Sequence, residues 1–145
     1  MATAVWTGNG QNIAQTVTLL VTAVAIGGTL SATINGKLIT YTCVSGDTTT
    51  TAAAAWQALL VASSVPAEFS EITWTVATTT ITGVAKVAGT PFTLTKSQAG
   101  GATCTLTTTV SNSSQNDVAN AANWNRSGVA QLPQNGDDMV LANTG

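Results

Sequence analysis

The side chains that carry most acid–base and nucleophilic chemistry are scarce in this sequence. Histidine is absent from all 145 residues, so a Ser–His or Cys–His nucleophile pair cannot form within one chain. Among the six carboxylates, Glu68 and Glu71 lie close together in sequence. A glycosidase uses such a pair, but two acids alone define no cleft, so we interpret both as solvated loop residues. We therefore predict no catalytic residue and no enzyme activity.

Metal and thiol chemistry have equally few candidates. Asp137 and Asp138 offer oxygen ligands that suit Ca²⁺, but EF-hand spacing is missing, so turn chemistry is the better interpretation. Cys43 and Cys104 lie about 60 residues apart without CxxC spacing. One disulfide, two buried thiols or one of each fate all stay open. We predict no metal site and no cofactor.

Tryptophans are the remaining candidates for binding. Aromatic faces stack on apolar faces of sugars, so Trp6, Trp74 and Trp124 are candidates for a glycan platform. Trp74, however, alternates with threonines in step with Ile72 and Val76, which is typical of a core position. Trp6 and Trp124 are then left for exposure or for use at an interface.

The charge content is unusually low. Only 7% of the residues are Asp, Glu, Lys or Arg, against about 25% in typical soluble domains, and 28 threonines supply hydroxyl groups instead. The four basic residues are scattered and the net charge is −2. Nucleic-acid binding needs clustered Lys and Arg, so we exclude it. Because so few charges oppose contact between copies, we expect a subunit of an assembly.

The sequence predicts no targeting segment and no membrane span. The first six residues lack the basic start and apolar core of a signal peptide. The most apolar run, residues 19–26, is too short to cross a bilayer.

The clearest local signal is a β-hairpin over residues 29–43. Asn35-Gly36 lies between two alternating runs, and a type I′ turn needs the positive φ angles that this pair tolerates. Apolar residues then share one face and hydroxyl residues mostly the other, as one buried face demands. The predicted cross-strand pairs are Ile34–Lys37, Ala32–Ile39 and Leu30–Tyr41.

A helix is predicted after this hairpin. The alanine-rich run at residues 52–62 has strong helix propensity. Asp47 or a following threonine can cap it. Trp56 lies on its apolar stripe, so we expect this side chain to anchor the helix in the core.

The other elements are strands. Residues 17–26 predict a strand before the hairpin, runs at 71–77 and 81–87 predict a second hairpin, and runs at 92–95 and 102–110 predict a third. We therefore predict an α+β, predominantly β fold. It is an antiparallel sheet of hairpins with one helix packed on a face, plus an extended C-terminal tail.

The composition of the sequence changes after residue 110. Residues 111–117 are polar and linker-like, and a turn and a short strand are predicted within residues 123–141. The expected organisation is an N-terminal arm at 1–16, an α+β module at 17–110, and a C-terminal arm or the start of a further β domain at 111–145.

Two stretches carry a resemblance to known proteins. The runs ATING at 32–36, YTCVSGD at 41–47 and AGTPFTL at 88–94 resemble a recurrent threonine-rich module of bacteriophage tail and other virion proteins and of large secreted bacterial surface proteins. Cys43 departs from the aliphatic residue of that pattern. The tail, with Asn123-Trp124 and a later Gly-Asp-Asp, is similar to the opening of β-helical or autotransporter-like surface proteins. Neither resemblance implies catalysis.

These features predict a non-enzymatic virion structural protein, capsid-decorating or tail- or fibre-associated. It would assemble with copies of itself and with other virion or surface structural proteins, through neutral β surfaces and terminal arms. One alternative is the N-terminal module of a secreted β-helical adhesin at the bacterial cell surface. Another is a carbohydrate-binding module with a glycan as its partner. The candidate interface residues are Trp6, Asn123, Trp124, Met139 and Leu141.

Overall fold

A computed structural model describes residues 2–141. Met1 and residues 142–145, the outer ends of the two predicted arms, lie outside the described residues. The described chain is predominantly β, with antiparallel sheets and two helices, which confirms the predicted class. The elements are β1 Thr3–Trp6, β2 Thr16–Ala23, β3 Thr29–Ile34, β4 Lys37–Thr42, α1 Thr49–Leu60, α2 Ala67–Ser70, β5 Ile72–Ala77, β6 Thr80–Ala85, β7 Leu94–Ala99, β8 Thr103–Val110, a 3₁₀ turn Ala121–Asn123, β9 Trp124–Arg126, β10 Val129–Ala130 and β11 Asp138–Leu141.

Three sheets replace the single sheet of the prediction. The first sheet has the strand order β5-β6-β2-β8, the second β4-β3-β7, and the terminal sheet β10-β9-β1-β11. The predicted third hairpin is wrong, because β7 pairs with β3 and β8 pairs with β2 instead of with each other. The same alternating pattern suits either partner, since both place the apolar side chains towards one core.

Two glycine-containing turns carry the chain between the first and second sheets. Residues 24–28 link β2 to β3, and residues 100–102 link β7 to β8. The two turns meet backbone to backbone, since a Cβ atom on Gly100 would lie 2.8 Å from the Gly28 Cα. Gly100 also has a φ of 65°, in the left-handed region that favours glycine. Glycine is therefore needed where the two turns touch.

The β3–β4 hairpin has the predicted register. Asn35 and Gly36 have φ angles of 48° and 75°, as a type I′ turn requires. On the inner face of β3, Leu30 and Ala32 are fully buried. The pairs include Ile34–Lys37, Ala32–Ile39 and Leu30–Tyr41.

Helix α1 begins at a capping box made by two threonines. The Thr48 hydroxyl accepts from the Thr51 N–H at 3.2 Å, and the Thr51 hydroxyl accepts from the Thr48 N–H at 2.8 Å. Thr51 thus replaces the usual Glu or Gln of this motif. Asp47, the other predicted cap, instead accepts from the Tyr41 hydroxyl at 2.7 Å and from the Val44 N–H at 2.8 Å. These bonds tie β4 to the start of the helix.

The core lies between the first two sheets and α1. Helix α1 packs against β2, β4, β5 and β6, with Trp56 fully buried as predicted. Trp74 is also buried, and its indole N–H donates to the Phe69 carbonyl at 3.1 Å. Cys43 and Cys104 are buried free thiols, which resolves the three cysteine alternatives in favour of two buried thiols.

Both α-helices are short. Helix α1 has 12 residues and α2 has 4, whereas a transmembrane helix needs about 20. Within residues 2–141, no helix is long and apolar enough to cross a membrane.

Replacing Gly100 with alanine should lower the free energy of unfolding by about 2–4 kcal/mol, because the methyl group meets the Gly28 backbone in addition to the φ penalty. Gly27 is the matched control: its φ is 76°, but no atom lies within 4 Å of its added Cβ. Gly27→Ala should cost only about 1 kcal/mol. Urea denaturation measures both, and equal losses would contradict the contact between the turns.

Asp47 should make stability depend on pH at the acid end. Hydrogen bonds from the Tyr41 hydroxyl and then from the Val44 N–H lower the pKa of Asp47 below its ordinary 3.8. Because the folded pKa is the lower one, the stabilisation is present above the unfolded pKa and is lost as pH falls through the folded pKa. Asp47→Asn should therefore flatten the decline in unfolding free energy between about pH 5 and pH 2.

Urea denaturation at each pH measures this decline. Tyr41→Phe removes the largest cause of the shift and should flatten the curve in the same direction. A curve for Asp47→Asn that runs parallel to the unsubstituted protein would show that these hydrogen bonds carry no pH-dependent stability.

Candidate assembly surface

The two predicted arms pair with each other. Strand β1, from the N-terminal arm, lies between β9 and β11 from the C-terminal arm. It runs antiparallel to β9 and parallel to β11. The terminal sheet therefore joins segments that are more than 110 residues apart in sequence.

Side chains form rows across the terminal sheet, because residues paired in register share a face. One row contains Trp124, Trp6 and Leu141, and the next row on that face contains Arg126, Ala4 and Met139. Both rows are most exposed at β11: Leu141 is 75% exposed against 6% for Trp124, and Met139 is 68% exposed against 0% for Ala4 and 23% for the Arg126 side chain. The face is thus mostly covered over β9 and β1 and open over β11.

Trp6 and Trp124, two of the predicted interface residues, contact each other. Their ring centroids lie 5.1 Å apart with an interplanar angle of 82°, an edge-to-face geometry that aromatic pairs favour. The Trp124 indole N–H donates to the Val118 carbonyl at 2.9 Å. The segment before the 3₁₀ turn therefore covers Trp124, which anchors the terminal sheet from inside.

Asn123 is at the centre of the contacts between residues 7–13 and residues 113–123, the two segments next to the terminal sheet. Its side chain is fully buried. The amide oxygen accepts from the Gly10 N–H, and the amide nitrogen donates to the Asp117 carbonyl at 2.9 Å and the Ser114 carbonyl at 3.4 Å. Its backbone carbonyl accepts from the Thr7 N–H at 2.7 Å. A buried amide with all its groups paired fixes the segments around it.

Other uncharged groups also join residues 8–13 to residues 113–115. The Gln115 N–H donates to the Asn12 side-chain oxygen at 2.9 Å, and the Gln115 side chain donates to the Gly8 carbonyl at 3.0 Å. Ile13 and Ser113 form an isolated antiparallel bridge. Amides and backbone groups thus hold the two segments next to the terminal sheet together without an ion pair.

The one ion pair among residues 2–141 joins β9 to the turn before β11. The Arg126 Nε lies 2.6 Å from one oxygen of Asp137, and its Nη2 lies 3.2 Å from the other, a bidentate pair. The Arg126 guanidinium first, and then the Gln134 N–H, hold the pKa of Asp137 below its usual value. Asp137 thus fixes the turn before β11, in line with the turn interpretation. Among the described residues, no group of three or more His, Cys, Asp or Glu could hold a metal ion.

Strand β11 is an edge strand with apolar side chains on both faces. Met139 and Leu141 project from one face, and Val140, 43% exposed, projects from the other. Within residues 2–141, no strand pairs with its outer edge. Unpaired backbone groups beside exposed apolar side chains form a template for a further strand. β10, at the opposite edge, has only two residues, and such short edges pair poorly.

The other sheets have more polar edges. Two of the three exposed residues of β5 are threonines, and threonines also dominate the exposed end of β8. Strand β4 exposes Leu38, but the exposed Lys37 lies beside it. Lysine at an edge opposes strand pairing, because pairing would remove its ammonium group from water. β11 also begins with an exposed charge, Asp138, but its other three residues are all exposed and apolar. It is therefore the most apolar edge of the described chain.

The five predicted interface residues fall into three groups. Met139 and Leu141 are exposed, Trp6 is partly buried, and Trp124 and Asn123 are buried within the chain. Val140 belongs to the same edge but was not among the predicted residues. The run Met-Val-Leu in the sequence indicates this apolar edge, because an apolar run without alternation in an edge strand leaves apolar groups on both faces.

Comparison of the sequence with protein-family models gives no match, and neither does comparison with curated proteins. The resemblance of residues 30–110 to virion and bacterial surface modules therefore stays a prediction. The fold itself defines an α+β module whose two chain ends form a sheet with an open apolar edge.

Asn123→Asp should destabilise the terminal sheet by about 3 kcal/mol, because a buried carboxylate oxygen would replace an amide donor and face two carbonyls. Hydrogen exchange should become faster in β1, β9 and β11 while β2 and β3 stay protected. Asn116→Asp makes the same chemical change at an exposed position and should leave exchange unaltered. Unchanged protection of β9 in Asn123→Asp would contradict the role of this amide.

Proposed function

We propose that the protein is a non-enzymatic structural subunit of a virion, capsid-decorating or tail- or fibre-associated. In this proposal it assembles by accepting a neighbour's strand at the outer edge of β11. The observation that carries the proposal is the exposure along the two rows of the terminal sheet, which ends at Met139 and Leu141.

Strand addition would stabilise this edge in two ways. A neighbouring strand would satisfy the outer backbone groups of β11 and cover Met139, Val140 and Leu141, each worth up to about 1.5–3 kcal/mol when fully buried. A four-residue strand supplies a modest affinity per contact. Modest contacts suit a particle, because many copies bound side by side raise the total affinity without new contacts.

The low charge of the chain also supports a structural role. A neighbour that docks on hydroxyl and apolar groups removes few ions from water, and desolvating ions is costly. Histidine is absent, and two of the four aspartates, Asp47 and Asp137, are bound to Tyr41 and Arg126. These groups stabilise the fold and leave little for catalysis.

The second candidate is the N-terminal module of a secreted β-helical protein of the bacterial surface. The parallel pairing of β1 with β11 favours it, because successive coils of a parallel β-helix stack their strands in parallel. A strand added parallel to β11 would continue both rows of side chains. The tail resemblance supports this candidate as well.

Placing charge on the β11 edge should weaken assembly without unfolding the module. In Met139→Lys combined with Leu141→Lys, docking would bury two ammonium groups, so binding should weaken by more than about tenfold. The matched control is Val44→Lys combined with Val118→Lys, which adds the same charge at exposed positions outside the strands, 58% and 69% exposed. Cosedimentation of labelled protein with purified virions or with bacterial envelopes measures binding.

The particle that binds the protein separates the two candidates. Binding to virions that is lost in the β11 variant supports the virion subunit, and binding to envelopes with the same loss supports the surface protein. Binding that is equal in the β11 variant and its control, or absent from both particles, would overturn assembly through β11.

A further inference from the structure

A cleft of about 490 Å³ opens between the first and second sheets, within the size range of small-molecule sites. It lies at the end of the module where β3 and β6 finish, opposite the two glycine-containing turns. Its walls come from the tip of the β3–β4 hairpin, the end of α2 and residues 86–93, which link β6 to β7. The cleft is separate from the terminal sheet and plays no part in the function proposed above.

The linking segment is held in place by the rest of the fold. The Gln15 side chain donates to the Phe92 carbonyl at 2.8 Å and accepts from the Phe92 N–H at 3.1 Å. The Lys86 N–H donates to the Glu71 carbonyl at 2.9 Å, and the Gly89 N–H donates to the Ile13 carbonyl, just before β2, at 3.2 Å. The wall is thus fixed at three points, so the cleft is formed before any ligand binds.

The lining combines an apolar floor with a charged rim. Ile34, Ile72 and Phe92 supply apolar surface, and Glu68, Glu71 and Lys86 supply the charges. Glu68 lies in α2 and Glu71 directly follows it, so these residues border a cleft where the sequence predicted a solvated loop. The rim holds both glutamates of the chain, and its formal charge is −1.

This concentration of charge is unusual for the chain. Only ten of the 145 residues are charged, and three of them line this one cleft. Asp47, Asp137 and Lys96 have side-chain hydrogen bonds to other parts of the fold. Within residues 2–141, the side chains of Glu68, Glu71 and Lys86 have none, and they form no ion pair with one another. Among the described residues, these three charged side chains thus form no hydrogen bond or ion pair that stabilises the fold.

We propose that the cleft binds an aliphatic primary amine. The ammonium group lies at the rim near Glu68 and Glu71, and the apolar stem lies on the floor formed by Ile34, Ile72 and Phe92. Two carboxylates attract the cation, and Lys86 at the same rim weakens that attraction. The charge of the rim therefore fits a singly charged cation and disfavours a neutral ligand or an anion.

Titration with n-pentylamine, followed by two-dimensional NMR of the intact chain, tests this proposal. Backbone signals of residues 68–72 and 86–93 should shift and saturate, and 1-pentanol, which has the same stem without the charge, should give much weaker shifts there. Binding should also weaken as salt is raised. Equal shifts with 1-pentanol, or no saturable shift with the amine, would overturn the proposal.

Substitutions at the rim should act in opposite directions. Glu68→Gln and Glu71→Gln should each weaken amine binding by about threefold to fivefold, and Lys86→Gln should strengthen it by a similar factor, as expected for partly exposed charge pairs. Asp138→Asn removes one negative charge on the terminal sheet and should leave binding unchanged. Weakening by Lys86→Gln, or no effect of either glutamate substitution, would contradict the assignment.

A further probe separates two sources of the amine. Nα-acetyl-lysine N-methylamide presents the same ammonium and stem on a peptide backbone. Binding as tight as that of n-pentylamine assigns the cleft to a lysine side chain of a partner protein, and binding about tenfold weaker assigns it to a free amine. Either result supports the ammonium site. Because the readout is local to the cleft, failure here leaves assembly through β11 untouched.

Discussion

The Gly28 and Gly100 backbones come into contact where two connections between the sheets of the module pass each other. The turns after β2 and β7 cross between the sheets at the same end of the core, so each must leave room for the other. With both crossings made there, β2 and β8 stay in one sheet and β3 and β7 in the other. Another connection between the sheets, residues 86–93, lies at the opposite end and is longer. The cleft lies beside this longer connection.

Hydroxyls and amides replace ions in most stabilising contacts of this chain. Thr48 and Thr51 cap α1 without a carboxylate, and Asn123 joins the segments around Gly10 and Asp117, next to the terminal sheet, without an ion pair. Such neutral hydrogen bonds are weaker than charged ones but avoid most of the cost of removing ions from water. Charges are then reserved for a few places, of which the Arg126–Asp137 pair and the rim of the cleft are the clearest.

Local features of the fold could be predicted from the sequence. The Asn35-Gly36 turn set the register of its hairpin, because few residue pairs tolerate two positive φ angles. The alanine-rich run predicted α1, and Trp56 was correctly assigned to the core. Each of these features depends on residues that lie close together in the sequence. Residue patterns carry most of their structural information over such short ranges.

Features that depend on distant segments could not be predicted in this way. The runs at 92–95 and 102–110 were interpreted as one hairpin, because nothing in the pattern of β7 distinguishes β3 from β8 as its partner. The terminal sheet unites strands from the two ends of the chain. The cleft gathers Ile34, Glu68 and Phe92 from three separate elements, so two glutamates close in sequence gave no sign of it.

The buried thiols have a consequence for the redox environments that the folded chain can occupy. Cys43 and Cys104 are 1% and 2% exposed, and burial raises the pKa of the Cys104 thiol, which leaves it with little of the reactive thiolate form. Neither oxidant nor glutathione reaches these sulfurs while the core is closed. The folded chain therefore holds the same covalent structure in the reducing interior of a cell and in the oxidising medium outside it, and it can pass from one to the other without thiol exchange.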